Sequence, residues 1–487
     1  MSAVQPAASI TPKVPALPAS TVILSIALAI NIVTYYAGAH AMWSSVFVIV
    51  TELAIAFVAV YFTLGQWLTW CNLFLGLLAL FHLGYFLPAK LGLIDEYVHA
   101  PISGTIADTT MLLFGAAILS FALGCSLSRS RRVSNRVIGA ERAPAIARTV
   151  LLCGLIVSAV CVVCLMIFVM QVGGPGALLH FTYLDFFNMF VIGGTENSRY
   201  ALTFLEYYPD GALLVYFGLA LIKAPPPMFR AWGVCTAIAI ASTLLFGSRG
   251  STILLLLGWA YLRHQMVARL NLKMLGAMTA ALIVVIPWVA SHRNEHDFDK
   301  TAASDLQVNA LAPLVEMGLT YRCLYATVEV LADGAPPLNG LSYYEAIRRL
   351  IPLSGNNDQD GFLGTNVWLA RIADPADLVK NGTFGSSGIG EPYANFGFLA
   401  VVVFFALVGW GFSALEIRFL REDDMMAGAV VALIVVPMGF FVRGDITAPL
   451  RSIVWPWLLL ILLSKRASIA HKLIRGSHGG HRERRTA

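Results

Sequence analysis

The sequence predicts an all-α polytopic membrane protein, with about twelve transmembrane helices and one large, partly helical outer loop. Of its 487 residues, 58% are hydrophobic and 13% charged, about half the charged share of a soluble domain. Mean hydropathy is +0.73. The apolar residues gather in runs of about 20, enough to cross a hydrocarbon core of roughly 30 Å. A β-barrel would instead alternate in segments of about ten residues.

Residues 1–20, with Pro6, Pro12, Pro15 and Pro18, read as a disordered cytoplasmic lead, and no removable signal peptide is recognisable. The transmembrane domain then covers 21–463. Its apolar spans lie near 21–39, 43–64, 67–87, 108–127, 148–171, 203–222, 231–247, 251–268, 274–291, 395–415, 426–442 and 449–463. Threaded alternately from an inside N-terminus, the inner segments and the basic tail 464–487 hold 21 of the 33 Lys and Arg residues. That bias is the one cytoplasmic loops retain, so both chain ends are expected inside. The 129–148 linker is basic without interleaved aromatics, which suits anionic membrane lipid and not nucleic acid.

Polar residues inside the first three spans are few. Glu52 stands out, and an acid within the bilayer is a functional candidate or an interhelical hydrogen bond. Cysteine is uninformative: only Cys323 falls in the outer loop, so no disulfide framework arises, and Cys161 and Cys164, a CxxC without partner ligands, read as small buried hydrophobes on one helix face. Gln171–Leu202 is an outer segment whose aromatics suit sugar stacking and an interfacial belt equally.

The large loop, 292–390, is where soluble chemistry has room. It holds seven Lys and Arg against twelve Asp and Glu, so Arg293, Arg322, Arg348 and Arg349 can bind an anion only by placement. Within it, Leu311–Leu331 is apolar but carries Glu316, Arg322 and Glu329, and reads as a helix packed on the membrane face. The stretch from Ser342 to Pro352 reads as a short amphipathic helix on the membrane. His292 and His296 stand four apart with only Glu295 nearby, short of a metal-ligand set, so no metal and no cofactor is expected.

Two short hairpins carry arginine at the outer surface. In the first, Gly247 and Gly250 flank Arg249, with Ser251 or Thr252 able to cap the next helix. In the second, Arg443 is followed by Gly444, Asp445, Thr447 and Arg451. A guanidinium beside a helix N-terminus suits phosphate, while the bland alternative is an arginine reaching lipid headgroups. Asp445 reads as a partner for Arg443, and Thr447 as a cap candidate.

Gly-Ser-Arg-Gly at 247–250 and Glu-x-Tyr-x-Asn-Phe-Gly at 391–397 resemble the Wzy-type O-antigen and oligosaccharide repeat-unit polymerases. So do the large late loop, Ile351-Pro352 after a Tyr-rich helix, and Arg443-Gly444-Asp445 before the final span. The resemblance runs through about 170–460 and implies a GT-C-like polymerase or ligase architecture in the inner membrane. It further implies metal-independent transfer of a glycan from undecaprenyl diphosphate to a lipid-linked repeat unit at the periplasmic face, with a chain-length regulator as a possible partner. Arg249 and Arg443 are then expected to hold the diphosphate, with Glu391 or His292 as base. Arg293, Arg322, Arg348, Arg349, Tyr393, Asn395 and Arg451 are expected to bind substrate. A ligase shares this layout, whereas a flippase would show mid-membrane charges and an internal repeat.

Overall fold

A computed structural model describes residues 17–38, 43–97, 100–128, 143–174, 176, 207–245, 249–271, 273, 311–350, 364–373 and 385–483. Among these, every regular element is a helix. In chain order they are α1 (Leu17–Ala37), α2 (Val46–Leu64), α3 (Trp70–Lys90), α4 (Thr105–Leu127), α5 (Ala143–Val172), α6 (Tyr208–Leu221), α7 (Pro226–Leu245) and α8 (Arg249–Met266). The loop contributes α9 (Ala312–Gly318), α10 (Thr320–Ala332), α11 (Leu341–Arg348), α12 (Thr365–Ala373) and α13 (Gly390–Phe396). Then follow α14 (Phe398–Arg421), α15 (Met425–Phe441) and α16 (Thr447–Glu483).

Six of these helices, α1 to α5 and α14, are long and apolar enough to cross a membrane, and α6 and α15 are shorter apolar helices. The protein is a multi-pass helical membrane protein. The expected span at 274–291 lies outside the described residues.

Helix α4 is central, its residues buried along nearly its whole length. It crosses α14 where Gly124 meets the Ala406 carbonyl and Gly409 meets the Phe121 carbonyl, a close backbone approach that any side chain would block. Lipid has no hydrophobic preference for one apolar side chain over another, so such small-residue contacts set which helices pair. Large apolar residues such as Ile26, Val33, Met166, Val403 and Leu407 stay exposed on the outside of the bundle, where acyl chains would cover them. Glu52 is buried where α2 meets Asn31 of α1 and Gly115 of α4.

The helix ends sort onto two faces. On one, which we term the loop face, the Ser44 amide donates to Asp108 Oδ1 (2.9 Å) and the Tyr321 hydroxyl to the Pro101 carbonyl (2.6 Å). Helix α9 packs on α3, and α10 on α3 and α4, so Leu311–Leu331 is two helices broken at Leu319. On the opposite face, Arg421 donates to the Thr63 carbonyl (2.9 Å) and Gln265 to the Leu68 carbonyl (2.7 Å).

Candidate functional site

The site is organised by the segment from Ser386 to Gly397. Ser387 ends the preceding chain with its hydroxyl turned onto the Ile389 and Gly390 amides (3.2 and 3.4 Å), which starts α13. Pro392 falls in the first turn of α13, where an N–H would have no helical partner anyway. Asn395 is buried and structural: it donates to the Glu391 carbonyl and to Ser342 Oγ (both 2.8 Å), and accepts the Gly340 amide (2.9 Å). It thereby fastens α11 to α13. Gly397 (φ 77°) stops the helix in the left-handed region and turns the chain into α14.

Glu391 lies wholly inside this unit. Its Oε2 accepts the Ile446 amide at 2.8 Å, while Oε1 accepts no hydrogen bond among the described residues. Burial, and then the negative charge of Asp445, push its carboxyl up to about 8. The Ser342 hydroxyl and the Ile446 amide pull the other way, Ser342 without closing a hydrogen bond in the structure.

Opposite stands the turn between α15 and α16. The Gly388 amide donates to the Val442 carbonyl (3.3 Å), so the two turns are joined through backbone as well. An added Cβ on Gly388 would stand 2.9 Å from the Phe441 ring, which leaves glycine as the fit. Among the described residues Asp445 forms no ion pair with Arg443. Its Oδ2 accepts the Thr365 amide and its Oδ1 the Thr447 amide, both at 3.1 Å. The expectation of an Arg443–Asp445 pair is thus corrected, and Asp445, not Thr447, receives the first amide of α16. Two backbone donors already engage the carboxylate, which leaves Arg443 to project. Arg443 is exposed, with its guanidinium 5.9 Å from the centre of the Phe81 ring.

Between these turns opens a cavity of about 220 Å³. Arg443, Gly444 and Asp445 form one wall, Gly385 and Ser386 another, and Asp210, Asn366 and Ser452 complete the polar lining. Phe440 and Pro437 supply apolar floor. Helix α8 begins at Arg249, and an added Cβ on its Gly250 would stand 3.0 Å from Phe440. The start of α8 therefore packs against the end of α15, while the turn before it and the Arg249 side chain lie outside the described residues.

A second cationic group lies within reach of the Asp445 charge. Arg348 binds Glu345 (2.9 Å), Arg349 lies 3.9 Å from the same carboxylate, and the charges of Arg451 and Asp445 act on Arg349. Burial holds the Arg349 guanidinium below its usual range, with the Glu345 and Asp445 carboxylates opposing. Arg322 lies on α10, where its charge acts on Tyr97 and on Cys323, a thiol that the Arg443 charge also reaches. Tyr393 meets the Tyr35 hydroxyl (3.3 Å). His292 and Arg293 lie outside the described residues.

The family-level sequence profile described as O-antigen polysaccharide polymerase Wzy matches residues 20–469, nearly the whole chain. The chain belongs to this family. No curated protein and no solved structure matches it. As a Wzy polymerase it is a glycosyltransferase-like membrane protein of polysaccharide biosynthesis acting on lipid-linked repeat units. All elements of the cavity fall within the matched range. Asp210, Asn366, Ser386 and Ser452 were not singled out from the sequence. Asp210 alone carried a signal there, as an acid in the first turn of an apolar helix.

Proposed function

We propose that this Wzy polymerase transfers a growing glycan from undecaprenyl diphosphate to a hydroxyl of an incoming lipid-linked repeat unit, at the outer face of the cytoplasmic membrane and without a metal. The observation that carries the reading is one cavity lined by both Arg443 and a fully buried acid, Asp210. The acceptor oxygen attacks the anomeric carbon, the carbon–oxygen bond to the diphosphate breaks, and the leaving diphosphate takes the electron pair. We assign the guanidinium groups of Arg443 and Arg249 to stabilising that developing charge. Arg348, Arg349 and Arg451 form a second cationic group fit for the other lipid diphosphate.

Glu391 is not among the residues that line the cavity. We assign it to bracing the Arg443 turn through Ile446, and the proton of the acceptor hydroxyl to Asp210, the acid on the cavity wall. His292 is the remaining candidate base. The proposal extends to about twelve spans with a GT-C-like plan, the 292–390 loop as a periplasmic cover, and both ends in the cytoplasm. The gathering of polar groups at one face favours an enzyme over a flippase, and the acceptor separates polymerase from ligase.

The test uses purified protein and a synthetic undecaprenyl-diphosphate repeat unit, with product length read on a gel. A ladder that survives EDTA is expected. Arg443→Ala should lower kcat about 100-fold or more, as loss of a donor to developing charge does. Arg443→Lys should stay impaired, because the planar fork is lost. Full polymer from Arg443→Ala at normal protein level overturns the reading, and transfer only to a finished lipid core would make the protein a ligase.

A further inference from the structure

We infer that His82, inside α3, is a positioning residue for this site: through Ser387 it sets the start of α13 and hence the relation of Glu391 to the Arg443 turn. The inference rests on the polymerase reading above. His82 is completely buried in an apolar span, with Nδ1 3.0 Å from the Leu78 carbonyl and Nε2 2.9 Å from Ser387 Oγ. A carbonyl only accepts, so Nδ1 carries the proton and Nε2 is left as an acceptor. Ser387 Oγ offers two lone pairs and one O–H. The Ile389 and Gly390 amides use the lone pairs, so the O–H points at Nε2. Every donor and acceptor in the chain from Leu78 to Gly390 is matched in one arrangement only.

A protonated ring would put a second donor against an oxygen whose lone pairs are already engaged. The imidazole is therefore held neutral, as a fixed acceptor. Serine beside histidine invites a nucleophile–base reading, but Ser386, not Ser387, lines the cavity. Ser387 is buried and occupied by capping. From it two routes reach the site: Ser387 to Gly390 and Glu391 by the cap, and Gly388 to Val442 and Arg443 by backbone. His82 anchors the point from which both depart.

The experiment compares His82→Phe, His82→Gln, Ser387→Ala and the double variant His82→Phe/Ser387→Ala, each purified and quantified. Wild-type polymerisation of the lipid-linked repeat unit is the reference, and its absence sinks the polymerase reading and not this one. Loosening α13 should lower kcat roughly tenfold for His82→Phe with KM within about twofold, since misplacement near a reacting group costs rate before binding. His82→Gln restores an acceptor and should recover most of the loss. The double variant should match Ser387→Ala alone, because the two residues act in series. Hydrogen exchange at the Ile389 and Gly390 amides should rise in His82→Phe whatever the activity. If His82→Phe does not accumulate, Ser387→Ala must show the same kcat loss at unchanged KM. Wild-type kcat in His82→Phe or in Ser387→Ala, additive losses, or unchanged exchange at both amides overturns the inference.

Discussion

Two glutamates, Glu391 and Glu416, are equally hidden, each with no exposed surface, yet they are built for opposite purposes. Glu416, near the end of α14 on the opposite face, takes the Trp70 amide (2.6 Å) and the Tyr261 hydroxyl (2.9 Å) on Oε1 and the Cys71 amide (3.2 Å) on Oε2. Both oxygens are used, and the carboxylate caps the N-terminus of α3, where the helix dipole welcomes negative charge. Glu391, on the loop face, has a single amide on one oxygen and a like charge, Asp445, nearby. A saturated buried acid holds helices together. An unsaturated one beside another acid stores a proton next to a cavity.

The largest expected effect breaks the saturated member. Glu416→Ala would strand three buried donors and release α3, α8 and α14 from one another, at roughly 3–5 kcal/mol. Thermal unfolding in detergent should drop sharply and the amount in membranes should fall. Polymer per molecule of surviving protein should stay near wild type. Normal protein with lost activity would place Glu416 in the chemistry instead.

Glu391→Gln should do the reverse, keeping the fold and losing rate. Misalignment of the Arg443 turn is expected to cost kcat about tenfold, equivalent to ~1.4 kcal/mol. A pH signature accompanies it. With its carboxyl pushed up to about 8, folded protein keeps a proton that the unfolded chain releases above the usual carboxylate range. Stability contributed by this group is present at low pH, falls as pH rises toward about 8, and is flat beyond. The apparent Tm of the wild type should decline over that window and that of Glu391→Gln should decline less. Equal slopes would mean that Glu391 titrates normally.

Which parts of this were legible in the sequence follows from the range of each interaction. The spans and hairpins were readable because apolar run length and turn chemistry are local. Arg443 and Glu391 drew attention as charged residues at span ends. Asp445 was misread because a carboxylate two residues from an arginine looks like its partner, whereas the structure uses it on the Thr365 and Thr447 amides. Of the buried polar residues, Glu52 stands out in the sequence, whereas His82 inside a span and Glu416 just past the 395–415 span do not. Nothing local distinguishes them: His82 finds Ser387 at a separation of 305 residues, and Glu416 finds Trp70 at 346. Asp210 enters the cavity only because α6 packs on α15.

The smallest expected effect concerns Tyr393, one turn position from Glu391 and read from the sequence as a substrate contact. Its hydroxyl meets that of Tyr35 at 3.3 Å, a long contact, and the Tyr35 ring is stacked on Phe398 at 4.3 Å between centroids. The tyrosines thus tie α1 to the junction of α13 and α14, outside the cavity lining. Tyr393→Phe removes one weak hydrogen bond and keeps the ring, so the cost should be under about 1 kcal/mol. kcat and KM should both stay within about twofold, far from the loss expected for Glu391→Gln two residues earlier on the same helix. A rise in KM without a change in Tm would instead show that the hydroxyl reaches substrate, and would extend the site from the cavity toward the end of α1.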